Sequence, residues 1–171
     1  MLKLIGSILI IGASLLYGFR IRRELQEHLD QLVAMKEMFL MLRGEISYAR
    51  TPLKEAFLQI ASQNKEPFCG FLTKAAKEMN ANEESMGNFW SRLVEQESGR
   101  FLFDEQERGL LQRAGENFGY LDSQMQLKNL ELYMEQAEVL IQNAQAQLKD
   151  RQKLSSVLSL MCGLFLVILL I

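Results

Sequence analysis

Apolar residues follow two regimes along this chain. LKLIGSILIIGASLLYGF (2–19) and LSSVLSLMCGLFLVILLI (154–171) are apolar all round a helical wheel, interrupted by Lys3 and a few serines. Between them the apolar positions recur at steps of three and four, the spacing of one helix face. From 24 to 46 that face is Leu25, Leu32, Met35, Phe39, Leu42 and Ile46. Near the other end Leu127, Leu130, Met134, Ala137, Ile141, Ala144 and Leu148 form a seam through three heptads. Such a seam packs either inside a bundle or against a second subunit. No Gly or Pro lies between it and the apolar tail, so the last helix is expected to run on through Arg151.

Punctuation divides the rest. Thr51-Pro52 reads as an N-cap followed by proline at the first helical position, opening a helix over 52–62. Pro67 opens another, to about Asn80. The 84–96 stretch is a helix with Met86, Phe89, Trp90 and Leu93 turned inward, and Ser98-Gly99 ends it. Asp104 to Glu107 is a capping box, and its helix runs to Phe118 with Gly119 in the left-handed end position. Asp122 caps the last helix. The expectation is all-α: a six-helix bundle between an N-terminal and a C-terminal transmembrane helix.

Each apolar end is about as long as a helical span, which needs roughly 17–25 residues. A cleaved signal peptide is the rival reading of the first. Signal peptides carry basic residues before the apolar core, whereas Arg20, Arg22 and Arg23 come after it, which favours a retained anchor. Lys149, Arg151 and Lys153 precede the tail. Both collars face the middle, so the positive-inside rule places residues 20–153 in the cytoplasm and both termini across the membrane. The division is 1–19 anchor, 20–153 bundle, 154–171 anchor.

Charge narrows the partners. From Glu24 to Leu148 there are 20 acidic and 12 basic residues, a net of −8. That argues against nucleic acid, whose binding rests on Lys and Arg contacts to phosphate. Chemistry is sparse as well. There is one histidine, His28, and the two cysteines, Cys69 and Cys162, are expected in different media. No phosphate loop, nucleophile elbow or metal-ligand spacing occurs. No cofactor and no enzymatic activity are expected.

One stretch stands out: GEISYARTPLKEAF (44–57), with Gly44, Glu45, Tyr48, Thr51, Pro52, Leu53, Glu55 and Ala56 as its pattern. Together with Gly115, Gly119, Asp122 and Gln126 and the charge-free tail, it resembles the stage III sporulation protein AB family over nearly the whole chain. That family is in turn similar to the cytoplasmic domain of the F-type platform protein of type II secretion. The resemblance implies an endospore former. It implies a place in the mother cell's outer forespore membrane, within a channel-like complex between mother cell and forespore. A cytosolic secretion-type ATPase and other membrane subunits of that complex are the implied partners, and a homo-oligomer is possible.

The 44–56 corner has two readings. In one, Gly44 lets helices approach and Thr51-Pro52 simply starts a helix. In the other, the corner also docks the ATPase or a sister subunit through Glu45, Arg50, Lys54 and Glu55. The expected function is a non-enzymatic membrane adaptor. The alternative is an unrelated tail-anchored helical scaffold or signalling protein that binds amphipathic helices.

Overall fold

The computed structural model describes residues 2–49, 51–79, 85–116, 118 and 123–170. Every regular element among them is helical, with no strand: α1 (Leu2–Gly44), α2 (Leu53–Gln63), α3 (Phe68–Glu78), α4 (Met86–Gln96), α5 (Glu105–Glu116) and α6 (Ser123–Leu170). These are the six helices expected. A π turn (Glu45–Ala49) comes after α1, and a 3₁₀ turn (Ser98–Arg100) after α4.

The boundaries have local causes. At the start of α5 the capping box closes both ways: Asp104 N donates to Glu107 Oε2 and Glu107 N to Asp104 Oδ1, each at 2.9 Å. Two orphan donors are thereby satisfied. Ser85 caps α4, its Oγ accepting from Asn88 N at 3.4 Å. The left-handed end at Gly119 and the cap at Asp122 fall outside the described residues.

The chain forms two compact units, residues 30–142 and residues 1–29 with 143–171. In the first, α1 buries Leu32, Met35, Phe39 and Leu42, the central residues of its expected face. Leu25 and Ile46, at the ends of that face, are half-buried. On α6 Leu130, Ala137 and Ile141 are buried within the chain itself, so the inner seam packs in the bundle. The two helices run antiparallel. Lys36 Nζ meets Glu138 Oε2 at 2.8 Å, the rings of Phe39 and Tyr133 lie 6.3 Å apart, and Arg43 Nη2 meets Glu131 Oε1 at 2.6 Å. These ion pairs are part-exposed, so they add little stability and serve mainly to hold the axial register. Tyr133 also donates to the Arg113 carbonyl at 3.0 Å, tying α5 to α6.

The second unit comprises the outer ends of α1 and α6. Here α1 is one continuous helix, so the apolar segment 2–19 and the periodic face over 24–46 belong to a single element. The Arg20–Glu24 and Arg23–Glu27 pairs, at 3.2 and 2.8 Å, bridge the join at i,i+4 spacing and favour its helical state. α6 runs through Arg151 unbroken, as expected. Among the described residues no helix is long and apolar enough to cross a membrane. Most side chains of the two apolar segments lie outside those described.

Ile141 is 5% exposed on the inner seam. Ile141→Asp places an unpaired charge there and is expected to destabilise the domain by about 3–5 kcal/mol, read as urea or thermal melting. Gln142→Ala, on the exposed side and bonded to Glu138 on its own helix, is expected to change stability by less than about 0.5 kcal/mol.

Candidate functional site

The 44–56 corner begins with a change of helix type. A Cβ added at Gly44 would meet nothing within 4 Å. Close helix approach, the expected use of this glycine, is therefore not what it provides. The chain instead passes into the single π turn of Glu45–Ala49, whose extra residue per turn re-aims the chain beyond it. Thr51 is also placed differently from expectation. Pro52 holds the N-cap position of α2, with φ −53° and ψ 137° and no side-chain cap. The Thr51 hydroxyl is turned the other way and donates to Glu45 Oε2 at 2.7 Å. The Pro52 carbonyl accepts from Glu55 N and Ala56 N at 2.9 and 3.0 Å, which starts the helix.

From there the motif residues part. Leu53 is half-buried, Lys54 and Glu55 are exposed, and Ala56 is buried. The next residue, Phe57, is fully buried, with its ring 5.4 Å from that of Trp90. Gly115, from the other motif stretch, reaches the same place. A Cβ added there would overlap the Trp90 indole, so only glycine lets the ring lie against α5. Trp90 Nε1 donates to the Leu111 carbonyl at 2.8 Å, and its ring lies 5.1 Å from Phe71 and 5.2 Å from Phe118. Gln126 is half-buried on α6. Arg50, Gly119, Asp122 and the Tyr48 side chain lie outside the described residues.

The two motif stretches, far apart in sequence, thus converge on one tryptophan. Trp90 was expected to face inward, but nothing local in the sequence pairs it with Gly115. A lone tryptophan and a glycine inside a helix were the available signals.

A second polar cluster was not expected at all. Glu97 has a side chain only 10% exposed. Its Oε1 meets Lys74 Nζ and its Oε2 meets Arg100 Nε, both at 2.6 Å. The Lys74 hydrogen bond, aided by the Arg100 charge, holds the Glu97 carboxyl below its ordinary value of 4.5 despite burial acting the other way. The cluster ties α3 to the turn after α4 and offers no nucleophile or free base. Among the described residues no group of His, Cys, Asp and Glu could hold a metal ion.

Gly115→Ala is expected to cost about 1–3 kcal/mol by overpacking. Trp90→Leu in the same chain should recover part of that loss, a coupling measurable in a double-mutant cycle. For Glu97 the folded-state carboxyl is depressed, so its stabilisation is complete above the ordinary value and lost as pH falls through the folded value. Glu97→Gln is therefore expected to be less stable than the parent at pH 7, by about 1–2 kcal/mol in thermal or urea melting. The gap should close in acid.

Comparison with known proteins agrees with this architecture. The chain is 28% identical over 171 residues to stage III sporulation protein AB of Bacillus subtilis (strain 168), covering 99% of both chains. A solved structure of stage III sporulation protein AB (SpoIIIAB) superposes with a TM-score of 0.67 at 25% identity, over 72% of this chain and 98% of that one. A sequence model of the family matches residues 3–171, and the chain belongs to the stage III sporulation protein AB family.

Proposed function

We propose that this protein is a non-enzymatic membrane adaptor, a platform-like subunit of a channel complex joining mother cell and forespore. The observation that carries this is the extent of the family match, which takes in both apolar ends as well as the bundle. Membership sets aside the alternative of an unrelated scaffold. Segments 2–19 and 154–171 are proposed to span the outer forespore membrane. The antiparallel pairing of α1 and α6 supports this, because it leaves Asp30 and Gln142 at the same end of the bundle, so one membrane can receive both apolar ends. The basic collars then put the bundle in the cytoplasm and both termini across the membrane.

The bundle is proposed to dock a cytosolic secretion-type ATPase, alongside other membrane subunits of the complex. Its net charge of −8 suits a partner with a basic patch, since complementary charge speeds encounter and fixes orientation. Lys54 and Glu55 sit on the outer side of a helix whose inner residues Ala56, Phe57, Ile60 and Ala61 are buried, so they are rigidly presented. Glu45 and Arg50 complete the proposed surface. Glu45 also accepts from Thr51, so its reversal disturbs the corner, and Glu55 is the cleaner probe.

Glu55→Lys is expected to lower stability by no more than about 1 kcal/mol, since Glu55 lies in the first turn of α2, where the helix dipole favours an acidic side chain. It should weaken ATPase binding roughly fivefold at low ionic strength, with the loss shrinking as salt rises. Binding that is untouched by Glu55→Lys at low salt would move the interface off this corner.

A further inference from the structure

The long helix α6 carries a second seam, on a flank beside its buried face. Met125, Leu132 and Val139 are 56%, 49% and 57% exposed, and they lie seven residues apart. Exposed Ala146 continues the series. The positions four residues after each of the first three are Asn129, Gln136 and Asn143, all side-chain amides, the first two half-buried and the third exposed. Together these seven positions alternate steps of four and three, the a/d pattern of a coiled coil, with the amides at a and the apolar residues at d. All four charges between 125 and 146, Lys128, Glu131, Glu135 and Glu138, fall outside it. Glu131 and Glu138 are drawn to α1 by Arg43 and Lys36. In an acidic domain a charge-free stripe of this length is selective, since solvent would accept charge at its five exposed positions, Met125, Leu132, Val139, Asn143 and Ala146.

We infer that this outer seam pairs with the same seam of a second copy, as a parallel two-stranded coil. Three observations select that occupant. A strict seven-residue repeat keeps facing another helix only if both supercoil, whereas an isolated helix drifts about 20° per heptad. In a parallel pair of identical chains each a position faces its own copy, and a side-chain amide is self-complementary because it both donates and accepts. A polar a position of this kind fixes register and strand number at a cost in stability. Finally, α6 continues unbroken to Leu170. Two copies with their tails in one membrane have these helices pointing the same way. This last point rests on the membrane anchoring proposed above. The exposed seam from Met125 to Val139 spans about 21 Å. So short a seam, with amides at every a position, pairs weakly in free solution. A shared membrane supplies the effective concentration that makes pairing favourable.

The test uses the full chain with Cys69→Ala and Cys162→Ala, reconstituted sparsely in phosphatidylethanolamine/phosphatidylglycerol vesicles. Single cysteines are placed at Met125, Leu132 and Val139, with Gln145→Cys as an exposed control off the seam. On mild oxidation each seam cysteine is expected to cross-link to its own copy about tenfold faster than the control, because facing d positions bring Cβ atoms within disulfide reach and position 145 does not face its copy. Adding Leu132→Glu to the Val139→Cys chain should abolish the difference. Self-cross-linking at Leu132 but not at Met125 or Val139 would mean antiparallel pairing and would overturn the proposal. Equal rates at Gln145, or no cross-link in protein that resists alkaline carbonate extraction, would also overturn it while leaving the anchors in place. Extraction of the protein by carbonate would instead defeat the anchoring and this pairing together.

Discussion

The packing of Trp90 against Gly115 is the constraint on which the rest of the bundle depends. The indole is fully buried, and its one polar atom is satisfied by the Leu111 carbonyl, so it can sit at the centre without an unmet hydrogen bond. α4 and α5 approach because α5 has no side chain at 115. α2 joins through Phe57, α3 through Phe71, and the segment after α5 through Phe118. The rings continue through Phe101 to Phe68 and Phe103. A small domain built from short helices has little area per helix to bury. Large rings, several of them meeting edge to face, supply much of that area and add a directional preference that aliphatic side chains lack. The exposed residues Pro52, Lys54 and Glu55 are held in place because Ala56 and Phe57, next in the chain, are buried in this cluster.

The pairing of α1 with α6 has another character. Its buried part is largely aliphatic, from Leu32 to Leu42 on one helix and Leu130 to Ile141 on the other, with Phe39 and Tyr133 as a ring pair between them. Aliphatic seams tolerate axial slip better than interlocked rings do. The Lys36–Glu138 and Arg43–Glu131 pairs lie at the edges of this seam, where a shift of one turn would break both. The Lys36 hydrogen bond, followed by that of Gln142, holds the Glu138 carboxyl below its ordinary range. Electrostatics here selects among registers that hydrophobic packing leaves close in energy.

Much of this was legible in the chain because helices are local. The inner residues of α1 and α6, the capping box at Asp104 and the unbroken course of α6 all come from spacing and side-chain chemistry within a few residues. The corner was half legible. A break after Gly44 was visible, but the π turn and the swing of Thr51 toward Glu45 depend on a competition between hydrogen-bond partners that sequence does not rank. Trp90 with Gly115 and Glu97 with Lys74 were illegible, since each joins elements 23 or more residues apart through a meeting that only the fold creates. The change from apolar to charged composition between 19 and 24 does not interrupt α1, because it alters what surrounds the side chains and leaves the backbone hydrogen bonds of the helix as they are.

α6 gathers these themes in one element. Around its circumference lie an inner aliphatic seam, a flank of carboxylates paired to α1, and an outer charge-free seam. The first two fix how the helix is rotated about its axis within the bundle, and that rotation leaves Met125, Leu132 and Val139 facing outward. The same ion pairs that hold the register of α1 therefore also bear on the direction in which the outer seam is presented. Burial of Leu130, Ala137 and Ile141 holds that rotation, and the ion pairs at Lys36 and Arg43 trim it, so the direction of the outer seam is set by the fold of the single chain.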